Sequence, residues 1–284
     1  QRAAGWTLGI MMGIFVAGCT AAPVALPPIT EPPTRAALAG KIVWFDLLTE
    51  NTAEAQAFYG ALFGWTFEDR GGYALIRQNG RPIGGIAEQE DRHPGEAESI
   101  WLPSLSVWDV DAGAELFRQS GGRVLEAPAD VEGRGRMAVV EDPQGAPLVL
   151  LRSSAGDPAD GRPARHQWLW TDLFTTDAAA AVDFYRRLAP YDARTLEAAD
   201  GVPVTVLVSS GKARAGVVQM PFKGVTPNWV PYVDVADLDD TIRSAVQSGG
   251  TLLIRVRDAA VLADPVGAAF GVQARPADEK GGAS

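Results

Sequence analysis

The chain has 284 residues, of which 46% are hydrophobic and 21% charged, so it is long enough for two globular domains with a core each. Acidic residues outnumber basic ones by 35 to 25, and the net charge of −10 disfavours binding to the phosphate backbone of a nucleic acid. One cysteine and two histidines, His93 and His166, exclude an intrachain disulfide framework and a zinc site built from several thiolates or imidazoles.

The N-terminal segment has the pattern of a bacterial lipoprotein signal. Residues 6–18 form an apolar run that has the length of a secretory h-region and is shorter than a membrane span. The run ends in Val-Ala-Gly directly before Cys19, and a signal peptidase that cleaves before an acylated cysteine accommodates such small residues. We therefore predict a signal peptide at residues 1–18 and lipid attachment at Cys19. An uncleaved anchor helix with a buried free cysteine is the alternative.

The predicted anchor implies a location in the cell envelope, facing the periplasm, and on the outer membrane if the cell is Gram-negative. Residues 19–40 follow the cysteine and contain five prolines between Pro23 and Pro33. Because proline fixes the backbone and removes an amide donor, this segment is predicted to be a semi-rigid tether.

An internal repeat occupies most of the remaining chain. Residues 44–59 align without gaps to residues 170–185, with 8 of 16 positions identical, and the downstream block 101–122 matches 229–250 at 9 of 22 positions. Because the blocks keep their order, we predict a duplicated domain. The predicted boundaries are 41–152 for the first domain, 153–165 for a linker, 166–274 for the second domain and 275–284 for a polar tail.

Each copy is predicted to contain two βαβββ units, which makes the fold α+β. In the first unit a strand at 43–49 precedes a helix that Asn51 caps, with Glu54 three residues on, and that Gly64 ends. Short β-rich runs between glycine-rich turns predict the other strands of this copy. They lie at 65–68, 73–78, 83–87, 102–108, 124–126, 136–140 and 147–152, with a second helix at 111–120.

Two motifs of the first copy carry a family resemblance. The first helix ends in F-Y-x-x-L-F-G-W at residues 58–65, and a D-P-x-G turn at residues 142–145 precedes the last strand. Their order resembles the vicinal oxygen chelate superfamily, which includes glyoxalase I, extradiol dioxygenases and bleomycin-resistance proteins. The resemblance implies paired βαβββ units that form an incomplete, glyoxalase-like barrel around a cleft. The second copy matches more loosely, with Pro190 and Tyr191 at the end of the motif.

The same resemblance implies a divalent metal held by two histidines and a glutamate on cleft-facing strands. The six matching positions carry no such ligand: they are Trp44, Leu102 and Val149 in the first copy and Trp170, Val230 and Gly271 in the second. Indole, alkyl groups and hydrogen offer no lone pair to a hard cation. We therefore predict no metal site and no cofactor.

Strand alternation predicts what lines the cleft instead. Residues two apart on a strand point to the same face, so the repeated W-x-D places tryptophan and aspartate side by side. The predicted ligand-binding residues are Trp44, Asp46, Ser104, Trp170, Asp172 and Tyr232. Aromatic rings beside carboxylates favour a planar or cationic organic ligand.

Three hypotheses remain open from the sequence. The first is a lipid-anchored, metal-free, monomeric protein that binds a small molecule, with no catalytic residue. The second is a lyase or hydroxylase of the superfamily with displaced or absent metal ligands, in which Asp46 or Asp172 is a general base. The third is an interaction module whose cleft is filled by its own side chains, and in which both aspartates are structural.

Overall fold

The structure, a computed structural model, describes residues 25–89, 99–197, 203–220 and 224–275. The predicted signal peptide and Cys19 lie outside these residues, as does most of the predicted polar tail. None of the helices in the described ranges has the length and apolar run needed to cross a bilayer.

Within the described residues, the first copy contains two βαβββ units. The first unit comprises β1 (Ile42–Thr49), α1 (Thr52–Phe63), β2 (Thr66–Asp69), β3 (Tyr73–Gln78) and β4 (Arg81–Glu88). The second unit comprises β5 (Ser99–Ser106), α2 (Val110–Gln119), β6 (Arg123–Val131), β7 (Gly135–Glu141) and β8 (Pro147–Ser153).

The second copy repeats this order and confirms the α+β fold of duplicated domains. Its third unit comprises β9 (Trp168–Thr175), α3 (Ala178–Leu188), β10 (Asp192–Glu197), β11 (Pro203–Ser209) and β12 (Lys212–Gln219). Its fourth unit comprises β13 (Asn228–Val235), α4 (Leu238–Gln247), β14 (Thr251–Arg255), β15 (Ala259–Ala263) and β16 (Ala269–Ala274).

The helix boundaries follow from local chemistry. The side chain of Asn51 accepts a hydrogen bond from the amide of Glu54, as the capping pattern predicts, and aspartates cap the other three helices in the same way. Helix α1 ends at Gly64, where φ is 69° and a side chain would be strained. The predicted start and end of α1 are therefore confirmed.

Each copy forms one eight-stranded sheet. The first strand of each of its two βαβββ units lies at the centre. The order is β2-β3-β4-β1-β5-β8-β7-β6 in the first copy and β10-β11-β12-β9-β13-β16-β15-β14 in the second. Alternate residues of β1 separate two faces: Phe45 and Leu47 pack with the helices, whereas Trp44 and Leu48 belong to a cluster on the opposite side. We call this opposite side the cleft face.

The helix-side cores are shared between the copies. Phe58 of α1 packs edge-on against Phe270 of the second copy, with ring centroids 5.8 Å apart, and Phe117 of α2 meets Phe184 of α3 at 4.8 Å. The first unit thus packs on the fourth, and the second on the third, so both copies complete one another's core.

The repeated sequence motifs meet in this shared core. The hydroxyl of Tyr59 donates to Asp264 Oδ2 at 2.8 Å, and the hydroxyl of Tyr185 donates to Asp142 Oδ2 at 3.1 Å. The tyrosine of each F-Y motif therefore binds the aspartate of the D-P-x-G motif in the other copy. Both aspartates also accept amides of their own turn, for example that of Ala268.

Removing the Tyr59 hydroxyl is expected to cost about 2–4 kcal/mol of unfolding free energy, because a buried acceptor and a buried donor both lose their partner. The acceptor is Asp264, and the donor is Trp101 Nε1, which bonds the same hydroxyl at 2.8 Å. Urea unfolding of Tyr59→Phe measures this. Tyr185→Phe is the matched control, and we expect a smaller loss there, because Trp229 Nε1 has no hydrogen bond of normal geometry to any described residue. Equal losses would contradict the explanation.

The described part of the predicted tether, residues 25–40, begins against the first sheet. Leu26 and Ile29 are only 3% and 2% exposed and belong to the same apolar cluster as Trp44. The amide of Leu26 donates to the carbonyl of Glu132 at 3.1 Å. Residues 26–30 of the proline-rich segment are therefore packed on the cleft face of the first copy, whereas residues 31–35 are exposed.

Candidate functional site

The repeated W-x-D forms the same hydrogen bond in both copies. Trp44 Nε1 donates to Asp46 Oδ1 at 2.8 Å, and Trp170 Nε1 donates to Asp172 Oδ1 at 2.7 Å. Strand alternation brings each pair onto one face, as the sequence predicts. A tyrosine also lies on the same face as each pair.

These tyrosines come from different strands. In the first copy Tyr73, on β3, donates to Asp46 Oδ1 at 2.6 Å. In the second copy Tyr232, on β13, lies opposite Trp170 and on the same face as Asp172. The sequence analysis identified Tyr232 but missed Tyr73, which has no counterpart in the repeat.

The cleft face of the first copy is closed by Arg134, a residue of the turn between β6 and β7. Its side chain is fully buried, with Nη1 3.5 Å from Asp46 Oδ2 and the guanidinium carbon 4.7 Å from the ring centroid of Trp44. Its Nη2 donates to the hydroxyl of Tyr73 at 3.0 Å, and its Nε donates to the carbonyl of Pro27 at 3.0 Å. The arginine thus neutralises Asp46 and fixes the N-terminal segment.

The predicted ligand-binding residues of the first copy therefore lie in a packed interior. Trp44, Asp46 and Ser104 are 2%, 7% and 0% exposed. The structure brings these three residues together on one face, as predicted, but the face is covered by Leu26, Ile29 and Arg134. A cleft filled by its own side chains is one of the three hypotheses of the sequence analysis, but the covering residues were not identified, because they lie outside the repeated blocks.

The cleft face of the second copy is more open. Trp170, Asp172 and Phe174 on β9 are only partly buried. Apolar side chains surround them, namely Val230, Tyr232, Ala259 and Val261, with Ile254 and Val256 at the margin. No ion pair to Asp172 is found among the described residues, so none of them takes the place of Arg134 in this copy.

Two glycines make room for this arrangement. Gly216 lies opposite Asp172 on the neighbouring strand, and a Cβ there would come within 2.1 Å of Asp172 Oδ1. Gly271 lies opposite Tyr232, and a Cβ there would come within 2.2 Å of the Tyr232 ring. Gly271 is also one of the six positions at which the family resemblance implies a metal ligand. Here the packing of Tyr232 excludes any side chain at that position.

The carboxyl group of Asp172 has a raised pKa. Burial raises its pKa to about 6, although the hydrogen bonds from Trp170 and Tyr232 act in the opposite direction. On the same face, Asn228 Oδ1 is buried and has no hydrogen-bond partner among the described residues. This face therefore contains a carboxylate and, buried beside it, an amide oxygen that lacks a hydrogen-bond donor among the described residues.

The residues present do not fit a divalent metal. In the first sheet Trp44 pairs with Ser104, which pairs with Val149, so the positions expected for a metal lie close together on one face. Their side chains offer no donor atoms, and the same holds for Trp170 and Val230 in the second copy. Within the ranges that the structure describes, no group of three or more His, Cys, Asp or Glu residues could hold a metal ion.

A groove with a volume of about 800 Å³ lies between the copies, where β1 and β9 begin, and Trp170 contributes to its wall. Lys41 Nζ and Arg214 Nη1 approach Asp160 Oδ1 there at 3.1 and 2.6 Å. These charges therefore neutralise one another in part, and Trp44 of the first copy contributes to the wall of the groove as well.

Comparisons with known proteins agree with this architecture. Residues 41–150 match the family model of the glyoxalase/bleomycin resistance protein/dioxygenase superfamily, and residues 168–273 match that of a glyoxalase-like domain. The Mycobacterium tuberculosis protein CFP32, provisionally named a glyoxylase, is 30% identical over 241 residues, covering 81% of this chain and 92% of the relative. The anthracycline biosynthesis protein DnrV of Streptomyces peucetius is 32% identical over 260 residues, covering 82% and 92%.

Two solved structures share the fold at low sequence identity. Homoprotocatechuate 2,3-dioxygenase of Brevibacterium fuscum superposes with a TM-score of 0.58 at 12% identity, covering 87% of this chain and 84% of that one. The Mn(II)-bound glyoxalase of Novosphingobium aromaticivorans gives a TM-score of 0.56 at 15% identity, covering 84% and 83%. At these identities the likeness concerns the fold alone.

Proposed function

Because the chain belongs to the glyoxalase/bleomycin resistance protein/dioxygenase superfamily, we propose that it uses the cleft face of its second copy to bind a small organic ligand without a metal. The observation that carries this proposal is the difference between the two aspartates. Asp46 is paired with a buried arginine, whereas Asp172 lies in apolar surroundings without a cation from any described residue.

The surroundings of Asp172 favour a ligand that is cationic and aromatic. A carboxylate in a dry environment gains most from a charged donor, and the indole of Trp170 attracts cations and stacks on flat rings. Phe174 and Tyr232 add apolar surface on the same face. The Streptomyces relative is named for the biosynthesis of anthracyclines, which are planar aromatic compounds, and this supports a planar ligand.

The proposal is tested by calorimetric titration with 1-naphthylmethylamine, a cation, and 1-naphthylacetate, an anion with the same ring system. We expect the cation alone to bind. Asp172→Asn should weaken its binding about ten- to hundredfold, because a charge-assisted hydrogen bond is lost. Asp183→Asn is the control: Asp183 is exposed on α3, so the variant changes the net charge equally without touching the cleft. Binding that Asp172→Asn leaves unchanged, or stronger binding of the anion, would contradict the proposal.

A general-base role for Asp172 is the second candidate, and the raised pKa of about 6 favours it. A base must be deprotonated near neutral pH and yet accept a proton readily, and this pKa allows both. The two candidates differ in the fate of the ligand. A binding protein returns the ligand unchanged after incubation, whereas a product formed by the native protein and not by Asp172→Asn would establish an enzyme. Mass spectrometry of the recovered ligand decides between them.

We also propose that Cys19 carries a lipid and that the protein is anchored in the cell envelope. The support is the apolar run at residues 6–18 that ends in small residues before the only cysteine. Mass spectrometry of the mature protein should show an acylated N-terminal cysteine in a membrane fraction, and Cys19→Ala should abolish both. An unmodified Cys19 in a protein of that fraction would contradict the proposal.

A further inference from the structure

We propose that the second copy binds a planar guanidinium or amidinium group, stacked on Trp170 and hydrogen-bonded to Asp172. This inference rests on the proposed function and names the chemical class of the ligand's cation. It comes from the first copy, where the side chain of Arg134 already occupies the equivalent position.

Arg134 shows how such a group fits the repeated frame. Its guanidinium carbon lies 4.7 Å from the ring centroid of Trp44, while one nitrogen is 3.5 Å from Asp46 Oδ2 and another donates to Tyr73 at 3.0 Å. The planar cation is thus held by an indole, a carboxylate and a phenol. All these contacts are made inside the folded core, with no exposed guanidinium surface.

The second copy repeats this frame, and none of its described residues supplies the cation. Trp170 and Asp172 form the same hydrogen bond as Trp44 and Asp46, with lengths of 2.7 and 2.8 Å. A phenol, that of Tyr232, again lies on the same face, opposite Trp170. An indole, a carboxylate and a phenol are therefore present in both copies.

The arginines of the equivalent turn in the second copy do not replace Arg134. This turn joins β14 to β15, and the arginines of its segment, Arg255 and Arg257, are exposed. Arg255 forms an ion pair with Asp239 at 2.6 Å, on the outside of the molecule. No described residue of this turn therefore takes the place that Arg134 has in the first copy, and we assign this place to a group from another molecule.

The acceptors of the second cleft face suit a guanidinium better than an ammonium. A guanidinium is flat and weakly hydrated, so it can stack on indole while its N–H groups point outward in the plane. Asp172 and Asn228 Oδ1 both lie on this face, and the latter has no partner among the described residues. A flat cation with several N–H donors can reach more than one acceptor, whereas an ammonium is a compact and strongly hydrated charge.

The test compares 1-naphthylmethylguanidine with 1-naphthylmethylamine in calorimetric titrations of the full chain. Both compounds carry the same ring and the same charge, so only the geometry of the cation differs. We expect the guanidine to bind at least about tenfold more tightly, because it stacks and forms several hydrogen bonds. Asp172→Asn should remove this preference, and Asp183→Asn should retain it.

The outcomes separate this inference from the proposed function. Equal affinities for the two cations, or tighter binding of the amine, would overturn the guanidinium assignment and leave a cation site at Asp172. A lack of binding by either cation would overturn both. A guanidine preference that persists in Asp172→Asn would also overturn the inference, because the preference would then arise elsewhere on the protein.

Discussion

Replacing Asp46 with asparagine is expected to lower the free energy of unfolding by about 3–5 kcal/mol, because it leaves the buried guanidinium of Arg134 without its counter-charge. The same substitution at Asp172 is expected to raise the free energy of unfolding at neutral pH when no ligand is present. The two residues occupy equivalent positions in the repeat, so the opposite signs would arise from their surroundings alone.

The expected rise in the free energy of unfolding of Asp172→Asn follows from proton linkage. Its pKa is about 6 in the folded protein and 3.8 as a free side chain, so the folded state binds more protons than the unfolded state between these values. Stability is therefore lost as pH rises through this range. The loss amounts to up to about 3 kcal/mol, at about 1.4 kcal/mol per pKa unit. Asparagine does not ionise and can still accept from Trp170, so Asp172→Asn should be the more stable protein at pH 7 and gain little below pH 4.

Urea unfolding at neutral and acidic pH measures both effects, with Asp183→Asn as the charge-matched control. A loss of stability at Asp172 as large as at Asp46 would show that both aspartates are structural, and it would remove the main support for a ligand site in the second copy. A gain at Asp172 together with weaker ligand binding is what we expect of a carboxylate kept for function at the expense of stability.

Leu26→Ala is expected to cost about 2–5 kcal/mol, which is the usual range for a buried leucine that leaves a cavity. Leu26 is 3% exposed and lies in one cluster with Trp44, although it comes from a proline-rich segment outside the repeat. Leu253→Ala, at a leucine that is 50% exposed, is the control and should change stability by no more than about 0.5 kcal/mol.

Urea unfolding of the full chain distinguishes the possibilities for this segment. If Leu26→Ala has as little effect as Leu253→Ala, the segment is only loosely attached, and the first cleft is not closed by it. We expect a clear difference and, in the variant, faster proteolysis before residue 40, because the segment loses one of the two apolar side chains that it packs into the cluster of Trp44.

Local sequence patterns predicted the structural features that depend only on residues close together in the sequence. Asn51 and Gly64 marked the ends of α1, since capping and a positive φ are properties of a few residues. The W-x-D repeat predicted two side chains on one face, and both hydrogen bonds are present. These features need only the period of a strand and the chemistry of a cap.

Long-range features could not be predicted in this way. The repeat suggested two equivalent clefts, but Arg134 reaches Asp46 across the sheet and has no repeated counterpart. The bond between Tyr59 and Asp264 links residues 205 positions apart, so the two motifs were recognised without their connection. Strand β6 also extends further than predicted, to Val131, because a bulge accommodates Pro128 where a regular ladder would break.

The central claim is that the second cleft binds a ligand while the first is closed. Fluorine NMR of protein labelled with 5-fluorotryptophan tests it directly, with the signals of Trp44 and Trp170 assigned from the Trp44→Phe and Trp170→Phe variants. On titration with 1-naphthylmethylamine, we expect the Trp170 signal to shift, because the naphthyl ring stacks beside it, and the Trp44 signal to stay in place. A shift of Trp44 with Trp170 unchanged, or no shift of either, would contradict the claim.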